Sequence, residues 1–326
     1  MQLAAARLVR GRDPVSIRGT AGGREITNQS TEAPPARRVE NGKGLLLMGL
    51  GMFLFAAVDT IAKFLTSELH PFQIVWTRQL GLLVGAVFLL ALHGRRLFLT
   101  AHPKLQLIRG LVAALSAAAF IYAIRHVPLA DAVAVSFVAP FMVTLMAALI
   151  LREPVGWRRW VAVVLGFVGS MIILRPGMGA VHPAAMLVVA AAFFFACRQV
   201  ISRAIAARDG TGTTILYTAM TAVLVLSMPL PWVWVTPGRS EFLLLVGLAL
   251  LAGLAEVCVI RALELGLAVA VAPVHYTLII WASLYGWLVF GQFPDAWTWA
   301  GTAIIIVTGM YTLRREYLAG RHAGHR

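Results

Sequence analysis

Acidic side chains are scarce in this sequence: 14 Asp and Glu stand against 28 Lys and Arg, and charged residues make up only 13% of the 326 positions. A soluble globular domain carries about a quarter charged residues, so the composition argues against one. Cysteine is nearly absent. Cys197 and Cys258 both lie inside apolar stretches with no CxxC or Cys/His spacing, which leaves neither a disulfide framework nor a zinc site and makes them packing residues. HExxH, GxSxG, GxGxxG and P-loop patterns are missing as well, so the common hydrolase, dinucleotide and nucleotide-driven chemistries have no motif to rest on. No cofactor, no metal and no catalytic residue is expected, and the chain reads as no enzyme. A lipid-modifying membrane enzyme built on scattered arginines and carboxylates is the alternative from another class.

What fills the sequence instead is apolar. Hydrophobic residues make up 60% of the chain and the mean hydropathy is +0.81. They fall into runs of about 18 to 24 residues, enough at 1.5 Å per residue to cross about 30 Å of hydrocarbon. Breaks at Gly, Pro and charged clusters give spans near 44–65, 72–92, 106–125, 129–151 and 158–175, then 183–201, 213–235, 241–260, 266–290 and 296–313. The expected fold is therefore an all-α integral membrane protein of ten transmembrane helices. Residues 1–43, rich in Pro, Gly, Ser and Arg, read as a disordered cytoplasmic tail and not a signal peptide. Residues 314–326 read as a basic cytoplasmic tail.

The net charge of +14 does not imply nucleic acid, because the basic residues are spread over tails and short turns. Their distribution sets orientation. With the N-terminus inside, the outward turns carry only Arg125, Arg175 and Arg239, whereas the inward turns carry Arg95, Arg96, Lys104, Arg152, Arg158, Arg159, Arg203, Arg208 and Arg261. Cytoplasmic loops are enriched in Lys and Arg, so both termini are placed in the cytoplasm, in a bacterial inner membrane. Trp76, Trp157, Trp160, Trp232, Trp234, Trp297 and Trp299 fall near span ends, where amphipathic rings anchor at the headgroups.

The chain also repeats itself. "IRHVPLADAVAV" from Ile124 matches "IRALELGLAVAV" from Ile260, and "REPVGWRRWVAVVLGFVG" from Arg152 parallels "GQFPDAWTWAGTAIIIVTG" from Gly291. Five spans per copy, an odd number, force the second copy to enter the membrane from the opposite side. Inverted repeats of this kind are a recurring construction of secondary transporters with a site near the midplane. The repeats are placed at 44–175 and 176–313.

The block "RGLVAALSAAAFIYAIRHVPLADAVAVSFVAPFMVTLMAALILREPVGWRRWVAVVLGFVGSMII", with its mid-helix Pro140 and with Glu153 opening the fifth helix, resembles the drug/metabolite transporter superfamily in its ten-helix EamA-like branch. The weaker second copy, and "DTIAKFL" followed by "QIVWTRQL", carry the same resemblance, which covers nearly all of residues 44–313. Two positions depart from the family pattern: Gln292 replaces the usual Glu, and Pro273 is out of step with Pro140. The resemblance implies transport of a small metabolite such as an amino acid, nucleoside, vitamin or S-adenosylmethionine, in either direction, by a monomer or homodimer.

An ionisable side chain within a span costs several kcal/mol unless it is paired or faces a cavity, so each is a site candidate. Asp59 and Lys63 lie four apart on one helix face, with Arg78 at a similar depth on the next helix. The three form either a site for an anionic or zwitterionic substrate or a structural ion-pair cluster. Glu256 either carries a coupling proton or pairs with Arg261. His275, beside Tyr276 near the middle of the ninth helix, either titrates or binds during transport, or simply packs. Arg109 and Arg198 are expected to reach the headgroups as anchors, and Glu153 to cap the fifth helix. Pro140 and Pro273 are expected to bend their helices as gates. Phe120, Tyr122, Phe194 and Tyr276 would give aromatic contact to a flat substrate held by the first, fourth, sixth and ninth helices. Gly51, Gly81, Gly85, Gly166, Gly169, Gly286 and Gly309 are read as close-contact positions.

Overall fold

The structure, a computed structural model, describes residues 40–150, 156–175, 183–205, 209–266 and 271–323. Most of the expected N-terminal tail, and Arg152, Glu153 and Arg208, lie outside the described residues. Among those described, all regular structure is helical. In chain order the helices are α1 (Asn41–Leu65), α2 (Pro71–His93), α3 (Pro103–Ile124), α4 (Leu129–Ser136), α5 (Ala139–Ile150) and α6 (Trp157–Leu174). There follow α7 (Ala185–Ile205), α8 (Thr211–Ser227), the single turn α9 (Leu230–Val233), α10 (Arg239–Leu265), α11 (Thr277–Phe290) and α12 (Ala296–Ala323). Two 3-10 turns, Gly94–Phe98 and Ala272–Tyr276, join them.

Among the described residues, eight segments are long and apolar enough to cross a membrane, with α4 and α5 together forming one of them, Leu129–Ile150. The 23-residue α2 and the 17-residue apolar α8 complete the set of long helices. Element starts follow local chemistry. Pro71 and Pro103 open α2 and α3, where a proline loses no hydrogen bond, and the His70 ring accepts from the Phe72 N–H at 3.3 Å as an N-cap. Gly291, at φ +65°, ends α11 in a left-handed conformation that favours glycine.

The packing of these helices has an internal symmetry. α1 packs on α10 as α7 packs on α3; α1 packs on α11 as α7 packs on α5; α2 packs on α10 as α8 packs on α3. α2 meets α8, α4 meets α11 and α6 meets α12. Exchanging the first five helical segments for the second five leaves this pattern unchanged.

Small residues make the close approaches. A Cβ at Gly169 would fall 2.9 Å from the Gly301 carbonyl, and one at Gly301 would fall 2.5 Å from the Gly169 carbonyl, so α6 and α12 touch backbone to backbone. A Cβ at Gly81 would meet the Ala249 carbonyl at 2.7 Å. Gly85 differs from expectation: nothing lies near it, and it is exposed on a face of α2 that no helix covers. Residues 314–323, expected as a tail, continue α12.

Candidate functional site

Two of the expected spans are broken, and both at the same place in the repeat. The fourth span is interrupted by the Phe137–Val138 turn between α4 and α5, and the ninth by the Ala272–Tyr276 turn before α11. Pro140 and Pro273 do not bend continuous helices. Each sits at the start of a new helical stretch, where its missing N–H costs little. His275 therefore lies in a 3-10 turn rather than mid-helix.

The two breaks meet. Phe137 stacks on Tyr276 with ring centroids 4.8 Å apart and contacts the His275 ring edge-on at 5.5 Å. Tyr276 is buried, with its hydroxyl pressed against Gly309 of α12, whereas His275 is exposed. An interrupted helix inside a bundle frees backbone polar groups beside a cavity and is a recurring feature of transporter sites.

The charged side chains divide into two groups. Asp59 of α1 and Arg78 of α2 form an ion pair at 3.5 Å, with Asp59 buried and Arg78 largely so; the Arg78 guanidinium also lies 5.8 Å from the Phe55 ring centre. Lys63 does not join them. Its Nζ donates to the Val127 carbonyl at 2.5 Å, lies 5.3 Å from the centre of the Phe290 ring and is attracted by Asp131 of α4. One helical turn thus separates two roles, and the compact triad expected from spacing is an ion pair plus an end lock.

The second group was read from sequence as headgroup anchors. Arg109 instead turns inward: its Nε donates to the Ser202 hydroxyl at 2.7 Å, and its Nη1 donates to the Thr218 hydroxyl and to the Thr214 carbonyl at 3.3 Å, tying α3 to α7 and α8. Arg198, one turn before Ser202 on α7, lies 4.7 Å from the Phe195 ring centre, and its buried Nε has no hydrogen-bond partner. Glu256 of α10 attracts both Arg109 and Arg198, and Arg78 repels Arg198. Glu256 does not pair with Arg261, which instead binds Glu264 at 3.0 Å on the exposed face of α10. Arg78, Arg109, Arg198, Asp59 and Glu256 thus form one charged tract between the two sets of helices, with more positive than negative charge. Sequence reasoning missed Arg109 and Arg198 because depth alone made snorkelling the simpler account. The usable signal was their face: Phe195, Arg198 and Ser202 share one helix stripe.

Tyr122 stands apart from this tract, exposed with its ring beside His126 at 5.8 Å. Phe194 contacts Phe193 at 5.7 Å, and Phe120 packs against the core.

Each end of the bundle is tied by a polar network. At the Lys63 end, the Thr298 hydroxyl donates to Asp131 at 2.9 Å, the Thr298 N–H donates to Asp295 at 2.8 Å, and Arg175 pairs with Asp295 at 2.6 Å. These bonds join α4 and the end of α6 to the start of α12. Burial works against the Asp295 charge, but the Thr298 N–H and hydroxyl and the Arg175 guanidinium outweigh it and hold its pKa below the ordinary carboxylate value. At the other end, Asp209 accepts from the Thr100 hydroxyl at 2.6 Å, the Ala101 N–H at 2.9 Å and the Gln106 amide at 2.9 Å. Burial again opposes the charge, yet these bonds and nearby His102 depress the Asp209 pKa.

Comparison with known proteins places this geometry. The EamA-like transporter family pattern matches residues 42–175 and again residues 182–314. The chain is 28% identical over 276 residues to the S-adenosylmethionine uptake transporter of Rickettsia felis, covering 83% of this chain and 94% of that protein. It is 30% identical over 282 residues to the riboflavin transporter of Vibrio cholerae, covering 84% and 94%. It is 31% identical over 268 residues to the pseudopaline exporter of Pseudomonas aeruginosa, covering 81% and 93%. A crystal structure of a protein 17% identical superposes with a TM-score of 0.58, covering 86% of this chain and 99% of that one, which supports the fold. With two copies of its pattern in one apolar chain whose described regular structure is helical, this multi-pass membrane protein belongs to the EamA-like transporter family.

Proposed function

We propose that the protein is a secondary transporter that moves a small organic metabolite across the bacterial inner membrane by alternating access. The observation that carries the reading is the charged tract between the repeats: Asp59, Arg78, Arg109, Arg198 and Glu256 sit within spans where an unused charge costs several kcal/mol. Relatives named for S-adenosylmethionine uptake, riboflavin transport and pseudopaline export support a small-molecule substrate in either direction.

In this reading the chain crosses the membrane ten times, with α2 and α8 as the second and seventh spans and both termini in the cytoplasm, a placement the basic residues of the turns support. The Lys63 end then faces outward and the Asp209 end inward. The substrate lies between the repeats, along the tract and near the His275–Tyr276 turn. The paired breaks beside Pro140 and Pro273 act as hinges on which the two sets of helices exchange shapes. Either Glu256 or the Asp59–Arg78 pair carries the coupling proton or ion.

Uptake of S-adenosylmethionine, riboflavin and amino acids into proteoliposomes tests this. One of them should accumulate with saturation, and Asp59→Asn should abolish uptake while the protein still inserts and elutes as a single species. Uptake that never saturates would point to a channel, and undiminished flux in Asp59→Asn would remove Asp59 from the site.

A further inference from the structure

A groove of about 720 Å³ runs where α5, α6 and α12 meet. One face of α6 lines it from Trp160 through Val164 and Val168 to Arg175, at the spacing that keeps side chains on one side of a helix. Leu145 of α5 and Trp297 of α12 flank that stripe. Trp160, Val164, Val168 and Trp297 are all exposed, so the groove opens on the face that the bilayer surrounds. From Trp160 to Arg175 the helix rises about 22 Å at 1.5 Å per residue. Spread over that length, the 720 Å³ gives a section of about 30 Å², whereas a helix about 10 Å across fills about 80 Å². The groove admits one extended hydrocarbon chain and leaves another helix outside it.

The chemistry changes at one end. Arg175 is the charged residue among those lining the groove, placed where α6 stops, and Trp297 beside its partner Asp295 marks the headgroup level. The Arg175 Nη2 binds Asp295 at 2.6 Å, and its Nε is buried with no hydrogen-bond partner. A guanidinium has five N–H donors, which one carboxylate does not use up, and the apolar side chains of the lining offer no oxygen to the rest. A buried donor left unmade is costly. What a bilayer supplies at this depth, at the end of an extended hydrocarbon chain, is a phosphate diester, and arginine takes phosphate with the same fork that it uses for a carboxylate. We propose that the groove is a phospholipid site: one acyl chain lies along the α6 stripe toward Trp160, and the phosphate takes the Arg175 donors that Asp295 leaves. Because Arg175 also ties the end of α6 to the start of α12, the lipid shares a residue with the network at the Lys63 end and bears on how firmly that end is held.

The test titrates delipidated full-length protein in detergent with phosphatidylglycerol, phosphatidylethanolamine and diacylglycerol of identical chains. Native mass spectrometry counts the bound lipid, and thermal unfolding reads its effect. Both phospholipids should bind, one per protein at the lowest concentrations, and raise the midpoint. Diacylglycerol, with the chains but no phosphate, should bind about tenfold or more weakly, the usual worth of a hydrogen bond to a charged group. Val168→Trp, which fills the groove from an exposed position and leaves Arg175 and Asp295 in place, should lose the bound lipid. Arg175→Gln should erase the preference for phospholipid over diacylglycerol, whereas Asp295→Asn, which breaks the same ion pair but keeps the guanidinium, should preserve it. Equal loss in both variants would leave Arg175 a structural tie alone and overturn the headgroup assignment. Diacylglycerol binding as well as phospholipid in the unaltered protein overturns the proposal without recourse to any variant. So does a dimer in detergent that Val168→Trp dissociates, since a second copy would then cover the groove.

Discussion

Lys63 and Asp59 illustrate how far one side chain can be read from spacing. Four residues apart, they share a face and invite pairing, yet the lysine is long enough to reach the Val127 carbonyl near its own helix end, and does so. Asp59 is left to Arg78 alone. Removing one partner of such a pair within a span strands the other charge, so Arg78→Ala should destabilise the protein more than Asp59→Ala, Arg78→Ala combined; a double-mutant cycle in thermal unfolding checks this. Asp209 makes a prediction of a different kind. Its folded-state pKa lies below the unfolded value near 3.9, so its contribution is fully present above about pH 4 and is lost as pH falls through the depressed value. Asp209→Asn should therefore lower the unfolding midpoint at neutral pH and flatten its acid-side decline. A mutant curve parallel to the native one from about pH 2 to about pH 7 would contradict this.

Among the elements, the helices themselves were legible because apolar length and punctuation by Gly, Pro and charge are local signals. The breaks in the fourth and ninth spans were not. Pro140 and Pro273 announced a disturbance, but whether a proline bends a helix or begins a new one depends on how the neighbouring segments pack there, here with Phe137 stacked against Tyr276. Contacts between α6 and α12 are tight enough to test. Gly169→Val should collide with Ile305 and the Gly301 carbonyl and cost about 1–3 kcal/mol by overpacking, whereas Gly85→Ala, facing open space, should leave the midpoint unchanged or raise it slightly. The Arg175–Asp295–Thr298–Asp131 network is the tie that closes the Lys63 end. In a background with Cys197 and Cys258 replaced by Ala, a cysteine at Phe290 should react faster with a membrane-impermeant thiol reagent once Arg175→Ala is added; an unchanged rate would remove this network from the closure of that end.

For the whole molecule, the repeat was visible as two short matching strings, and its consequence in the fold is a set of helices that exchange packing partners between the two copies. The location of the charged tract was less visible, because Arg109 and Arg198 come from helices distant in sequence and meet only when α3 packs on α7. A carrier with one site that alternates between two sides has a behaviour that no channel shares. Counterflow measures it: proteoliposomes loaded with unlabelled S-adenosylmethionine or an amino acid, diluted into a trace of the labelled compound, should transiently accumulate label above its equilibrium level, and Asp59→Asn should erase the overshoot. Label that only equilibrates, at the same rate with or without internal substrate, would contradict alternating access and the transporter account built on it.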